Sequence, residues 1–251
     1  MVSDLVLSAI DGSVARLTLN DPRRANVLST AMMEALDAAL TAAAADARVR
    51  VIVLGAAGRI FCAGHDLGEL RASDDAGEHA ALFAQCSALM LAIGAARAPV
   101  IAQVRGAAVA AGCQLVASCD LAYAADSARF AVSGVDLGLF CSTPGVALGR
   151  AVGRKAAADM LFTGRFIDAA RAVELGLINA AAPPAELSGL VDAAARLIAA
   201  KPPEAIAIGK AAFRRQIEAP LAAAYAIASE AMVENLALAA ARDGIDGFLK
   251  R

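Results

Sequence analysis

The stretch Val104-Arg-Gly-Ala-Ala-Val-Ala-Ala-Gly-Cys-Gln-Leu-Val-Ala-Ser-Cys-Asp120 decides how this chain is read. It follows Pro99–Val104, whose pattern is that of a buried strand. It then narrows to small residues from Gly106 to Gly112 and continues as an apolar run able to wind as a helix. Small residues at a helix entry let backbone N–H groups that lack an intrahelical partner approach another molecule at the positive end of the helix. Such a turn can hold a phosphate, a carboxylate or the developing charge of a carbonyl oxygen. Taken alone, the segment favours simple close packing of helix on strand, for which Ala and Gly serve equally well. A second stretch of the same kind, Cys62-Ala-Gly-His-Asp66, follows the nearly continuous apolar run Val49–Leu54, which reads as a strand buried on both faces. One N–H donor from each turn can converge on a single carbonyl oxygen.

The chain of 251 residues can bury a full core as one large domain or two small ones. Hydrophobic residues make up 59% of it and the mean hydropathy is +0.60, but much of this is alanine. No run of eighteen strongly apolar residues is free of charge, Gly or Pro, so no membrane span is expected. A formal net charge of −2 without a basic block argues against nucleic acid as a partner. Five cysteines show no metal-ligand spacing, and their odd count argues against a disulfide framework. The opening MVSDLVLSAIDGS lacks a basic start, so no secretory signal is expected and a cytoplasmic location is the default.

Outward from the two turns, Leu5–Ile10 and Val14–Leu19 flank Asp11-Gly12, a hairpin signal. Ser29 or Thr30 can cap a helix with Met33, Leu36 and Leu40 on one face. Arg71–Glu78 reads as a mobile polar loop, with a helix from about Ala80 to Ala95. Leu121–Ala124 is expected to begin a strand, Phe130–Ser133 is a short apolar run after it, and Gly138–Gly145 reads as irregular. Helices are expected over Val146–Leu161, Ala169–Leu175, Ala185–Ala199, Pro203–Gln216 and Ala219–Ala240, with a helical tail at Gly244–Arg251. This is an α/β pattern with a helical extension.

An ordered set of motifs then becomes specific. It comprises Leu19-Asn-Asp-Pro22 with Ala25-Asn-Val-Leu28, Phe61-Cys-Ala-Gly-His-Asp-Leu67, Gly106-Ala-Ala-Val-Ala-Ala-Gly-Cys113, Cys119-Asp120, Phe130, Leu137-Gly138, Thr163-Gly164, Ala169, Ala172, Gly176-Leu177 and Phe248. Over essentially its whole length the chain resembles the crotonase, or enoyl-CoA hydratase/isomerase, superfamily. One branch fits best across Gly138–Leu148, Met160–Gly164 and Ala231–Ala237. The resemblance implies an α/β fold, a crotonase-like spiral of ββα units with a C-terminal helical trimerisation region. Residues 1–190 would form the core with an acyl-CoA site and residues 191–251 the helical region, giving a homotrimer or hexamer.

The resemblance also implies roles. The N–H groups of His65 and Ala111 would polarise a thioester carbonyl. Arg24, Ala25, Ala63, Asp66 and Leu67 would lie along coenzyme A, with Arg23 and Arg24 near its phosphates, and Phe248, Lys250 and Arg251 would reach a neighbouring subunit's coenzyme A. No cofactor is expected beyond the coenzyme A of the substrate, and no metal. Family hydratases use two glutamates to activate water, and here those positions hold Gln114 and Gly134. Glutamine does not exchange protons near neutrality, and glycine has no side chain. Asp136 and Ser142 are candidate substitutes, although Asp136 also fits a solvent-facing or capping residue and Ser142 a turn hydroxyl. The His65 imidazole can titrate near neutrality if it faces the site. Cys113, Cys119 and Cys141 read as small core residues. Two functions follow: an acyl-CoA enzyme that stabilises a thioester enolate, or a non-catalytic acyl-CoA-binding or assembly protein. A purely structural role ranks third.

Overall fold

A computed structural model describes residues 5–250; Met1–Asp4 of the opening segment and Arg251 of the tail lie outside it. The chain builds two sheets by alternating between them. Strands β1 (Val6–Asp11) and β2 (Val14–Leu19) form the expected antiparallel hairpin, with Asp11 opposite Val14. Helix α1 (Thr30–Ala45) follows, capped by the Ser29 hydroxyl, which accepts from Met32 N at 3.1 Å. Three turns of a spiral come next. The first runs β3 (Val51–Ala56), β4 (Ile60–Cys62), α2 (Leu67–Ala72) and α3 (Ala76–Ala95). The second runs β5 (Val100–Val104), β6 (Ala107–Val109) and α4 (Ala111–Ser118). The third adds β7 (Leu121–Ala125) and β8 (Arg129–Ala131).

Each turn gives its first strand to a six-stranded sheet of order β1-β2-β3-β5-β7-β10 and its second to a four-stranded sheet, β4-β6-β8-β9. The closing strands are β9 (Ile167–Asp168) and β10 (Ala180–Ala182). This is the ββα spiral that the resemblance implies. Apart from β1 with β2 and β8 with β9, the named strands pair in parallel, so in each sheet every strand but β1 and β9 ends on the same side.

The Val49–Leu54 run is apolar throughout because both faces of β3 are covered. Ile52 and Leu54 point into the main core, whereas Val51 and Val53 join Ile101 and Ala125 under α8 (Leu187–Ala199). From α8 come Leu187, Val191 and Ala195, one to each turn of the helix. Burying side chains such as Leu187 and Val191 stabilises the fold by about 1.5–3 kcal/mol each. The expected division at residue 190 falls inside this helix.

Several expectations are corrected. Arg71–Glu78 is not one loop: α2 ends at Ala72, and Asp75 caps α3 by accepting from Gly77 N (2.7 Å) and Glu78 N (3.0 Å), so α3 begins four residues early. By length and composition α3 passes as a membrane span, yet it packs on α1 and α4 with Cys86, Leu89 and Ile93 buried. Val132–Ser133 lies beyond β8, and Ser133–Leu137 is a 3-10 turn. The irregular stretch ends at Cys141, where α5 (Ser142–Ala151) starts; Pro144 is accommodated in its first turn, where its missing N–H has no helical partner to lose. The single helix expected over 146–161 is two, α5 and α6 (Arg154–Thr163), broken at Val152-Gly153. After α7 (Ala169–Glu174), α8 and α9 (Pro203–Gln216), the helix expected over 219–240 is α10 (Leu221–Leu236), bent by 77° from α11 (Ala239–Leu249).

Candidate active site

Strands β4 and β6 run parallel side by side, which brings together two turns 46 residues apart in sequence. Gly64 stands at φ +98°. A Cβ there would lie 3.0 Å from the Ala110 Cβ, 3.1 Å from the Val109 carbonyl and 3.3 Å from Ala111 N. Only glycine combines this backbone conformation with this approach. Across the same contact, a Cβ on Gly112 would overlap the Cys62 carbonyl. Ala111 is the first residue of α4, so its N–H belongs to the unpartnered positive end of that helix. Ala111 is not among the residues with positive φ; the strain falls on Ala110, at φ +50° and ψ −117°.

The loop before α1 lies against the first turn. Asn26 is fully buried in a left-handed conformation, which asparagine tolerates better than most residues. Its amide accepts from Asp21 N (2.9 Å) and donates to the carbonyls of Ala57 (2.9 Å) and Ile60 (2.8 Å). Ala63 N donates to the Ala25 carbonyl (3.1 Å), and Leu28 N to that of Gly64 (2.8 Å). Arg24 is paired with Asp66, whose other oxygen caps α2 by accepting from Gly68 N at 2.9 Å. The structure therefore brings Arg24, Ala25, Ala63 and Asp66 together, with Leu67 exposed beside them as the first residue of α2. Arg24 is engaged by Asp66 as well as half exposed, a partner its sequence position did not reveal.

The His65 ring lies edge-on to Phe83, with centroids 5.5 Å apart, and its Nδ1 is 3.4 Å from the Leu28 carbonyl. Burial lowers its pKa from the ordinary 6.5, which keeps the imidazole neutral near pH 7 instead of titrating there. Gln114 is 4% exposed, and its Oε1 has no hydrogen-bond partner among the described residues. The thiols of Cys62 and Cys113 are pushed up to about 12 by burial, which makes them inert core groups at neutral pH.

Gly134, the second residue of the 3-10 turn, lies against the 139–141 loop, and its N–H donates to the Cys141 sulfur at 3.3 Å. Asp136 is exposed, with its carboxylate against Gly164 at the end of α6, where a Cβ would come within 2.9 Å of it. Ser142 is exposed at the start of α5, its Oγ 3.4 Å from the Phe140 carbonyl. Phe248 is 74% exposed on α11, far along the chain's outer helices. Sequence reading passed over Asn26, Phe83 and Cys141 as shapers of this region. Of these, only Asn26, a left-handed former inside a matched motif, carried a signal.

The profile of the enoyl-CoA hydratase/isomerase family matches residues 9–251. The human protein named enoyl-CoA hydratase domain-containing protein 3, mitochondrial, is 45% identical over 242 residues, covering 96% of this chain and 80% of that one. The crystal structure of that human protein aligns with a TM-score of 0.95 at 43% identity, covering 98% of this chain and 97% of the other. A crystal structure described as an enoyl-CoA hydratase of Mycobacterium smegmatis gives a TM-score of 0.96 at 51% identity, covering 98% and 96%. The branch that fitted best by sequence is that of the human relative. The cytoplasmic expectation does not stand beside them: the rat, mouse and human relatives are all named as mitochondrial proteins.

Proposed function

This chain belongs to the enoyl-CoA hydratase/isomerase family, and from that premise we propose that it is an enzyme acting on an acyl-CoA thioester, with its carbonyl oxygen held by the N–H groups of His65 and Ala111. The observation that carries this reading is the approach of Gly64 to Ala111 N, with a Cβ position only 3.3 Å away. Two backbone donors fixed before substrate arrives favour charge that develops during reaction, since no reorganisation is needed then. Deprotonation, or loss of a group at the carbon beside the thioester, moves an electron pair onto that oxygen as an enolate. The neighbouring Arg24, Ala25, Ala63, Asp66 and Leu67 form the surface along which coenzyme A would run. No cofactor is needed beyond it.

Gln114 and Gly134 occupy the places of the two hydratase glutamates. Water activation by a carboxylate pair is therefore not assigned to this site, and enolate chemistry without that pair (isomerisation, decarboxylation or carbon–carbon cleavage) is preferred. A second reading, an acyl-CoA-binding protein without turnover, is favoured by the closure of Gly134 against Cys141. Turnover across a panel of acyl-CoA thioesters, with calorimetric binding alongside, separates them. Turnover of any member supports the enzyme, binding without turnover supports the second reading, and absence of binding overturns both.

The helices α9–α11 leave Phe213, Leu221, Tyr225, Met232, Val233 and Phe248 more than half exposed. Apolar exposure on this scale is typical of interaction surfaces, and we assign these helices to a homotrimer or a hexamer built from it. Light scattering that gives the mass of a single chain would overturn this.

A further inference from the structure

Helix α4 meets the candidate site at one end and the helical extension at the other. Its first residue is Ala111 and its last is Ser118, which makes a rod about 12 Å long. At the site end no side chain caps it: Ala110 forms no capping hydrogen bond and stands at φ +50°. At the far end, Arg214 Nη2 of α9 donates to the Ser118 carbonyl at 3.0 Å, one of the acceptors that a helix leaves without a partner of its own. The same guanidinium reaches Asp120 Oδ1 at 3.0 Å. Asp120 is in turn pinned to β5, since its N–H donates to the Val100 carbonyl (2.9 Å) and its Oδ2 accepts from Val100 N (2.8 Å). One side chain thus ties the end of α4 to an aspartate fixed on the sheet.

The neighbouring contacts divide the work. Lys210 stands one helical turn before Arg214 on the same face of α9. Its hydrogen bonds go to the carbonyls of Ile93 and Ala98, at the end of α3 and just beyond it, and it pairs with Asp120. Gly94, in the last turn of α3, leaves room for the arginine: a Cβ there would come within 2.5 Å of Arg214 Nη1. A lysine meets a carboxylate from a single point, whereas the planar guanidinium fork serves the carboxylate and the helix carbonyl at once. A donor to a developing oxyanion must stand close to its ideal line. In a rod as short and stiff as α4, freedom at the Ser118 end becomes displacement at the Ala111 end.

We infer that Arg214 is a positioning residue: by fixing the C-terminal end of α4 it holds the Ala111 N–H in line with the thioester oxygen. The helical extension then sets the geometry of the site from behind. Arg214 acts through α4 and not on the substrate, and the inference rests on the acyl-CoA reading above.

Infrared difference spectra of bound butyryl-CoA, isotopically labelled at the thioester carbonyl, test this. Hydrogen bonds to that oxygen lower its stretching frequency, and a change in stability alone does not move the band of the folded complex. Arg214→Met should lose about half of the wild-type downshift, because one of two donors moves out of line. Lys210→Met should keep the downshift in full. If Arg214→Met does not fold, Arg214→Lys, which keeps the charge at Asp120 without the fork, carries the same expectation. A downshift in the Arg214 variant equal to that of wild type would overturn the inference. So would an equal loss in Lys210→Met, which would make the cluster a general brace. Both results leave a downshifted wild-type band, and with it the acyl-CoA reading. A wild-type band at the frequency of free butyryl-CoA, or absence of binding, removes that reading and the inference with it.

Discussion

Gly134 and Cys141 are locked together: the Gly134 N–H donates to the Cys141 sulfur at 3.3 Å, and a Cβ on Gly134 would stand 2.8 Å from that sulfur and overlap the Leu139 carbonyl. On the reading proposed above, the place of a second hydratase glutamate is thus filled by the chain itself. Its φ is not positive, so packing alone forbids a side chain there.

A glutamate cannot therefore simply be restored. Gly134→Ala should destabilise the protein by about 1–3 kcal/mol, the usual cost of overpacking, and Gly134→Glu by more. The double variant Gln114→Glu/Gly134→Glu should melt earlier than wild type and fail to gain crotonyl-CoA hydration. Thermal unfolding with a hydration assay checks both. A stable, active double variant would mean that the 139–141 loop moves aside freely.

The contact of Gly64 with Ala110–Ala111 sets opposite expectations for two small substitutions. Gly64→Ala places a Cβ at φ +98° and 3.0–3.3 Å from three atoms, so it should cost about 1–3 kcal/mol and weaken acyl-CoA binding by separating the turns. Ala110→Gly relieves a residue already at φ +50° and should be neutral or stabilising by up to about 1 kcal/mol. Denaturant melts of the two variants, read beside their coenzyme A affinities, decide the matter. Equal destabilisation would refute the assignment of strain to Ala110.

What the sequence disclosed follows from where its signals are local. Val49–Leu54 announced a strand covered on both faces because every residue in it is apolar, and Ser29 announced a helix start through its own hydroxyl. The three-residue strand β6 lay hidden in Gly106–Gly112, since Ala107–Val109 is too short to show a period. Strand β10, three alanines, is equally mute. The break at Val152-Gly153 was masked by good helix formers on both sides. Nothing local links Arg24 to Asp66 or Gly134 to Cys141. The first pair meets only when the spiral closes, and the second only when the loop folds back on the 3-10 turn. The candidate site was thus legible in its glycines and illegible in its walls.

An ionic cluster fastens α9 to the spiral. Lys210 Nζ of α9 lies 2.7 Å from Asp120 and donates to the carbonyls of Ile93 (3.2 Å) and Ala98 (3.1 Å). Arg214 reaches the other Asp120 oxygen and the Ser118 carbonyl, both at 3.0 Å, while Asp120 also accepts from Val100 N at 2.8 Å. Asp120→Asn leaves Lys210 buried beside an uncompensated arginine. Breaking a buried pair costs about 3–5 kcal/mol, and the partial exposure of Arg214 puts the expectation near 3. Lys210→Met, which removes a charge whose pKa burial already lowers, should cost much less. Equal losses in chemical unfolding would show that the cluster acts as separate contacts.

His65 adds a pH dependence whose sign is set by burial. Desolvation is the largest influence on its ring and lowers its pKa from 6.5, with the Leu28 carbonyl and Glu69 opposing. Between the folded value and 6.5, the unfolded chain binds a proton that the folded chain refuses. Acid therefore favours unfolding throughout that window, and stability rises with pH until both states are neutral above 6.5. The slope from this one group cannot exceed about 1.4 kcal/mol per pH unit. His65→Phe keeps the backbone N–H and the contact with Phe83 while removing the proton site. Urea unfolding from pH 7.5 down to pH 5 should show the wild type losing stability relative to this variant, with the gap opening below pH 7. Parallel curves would mean that the imidazole is solvated.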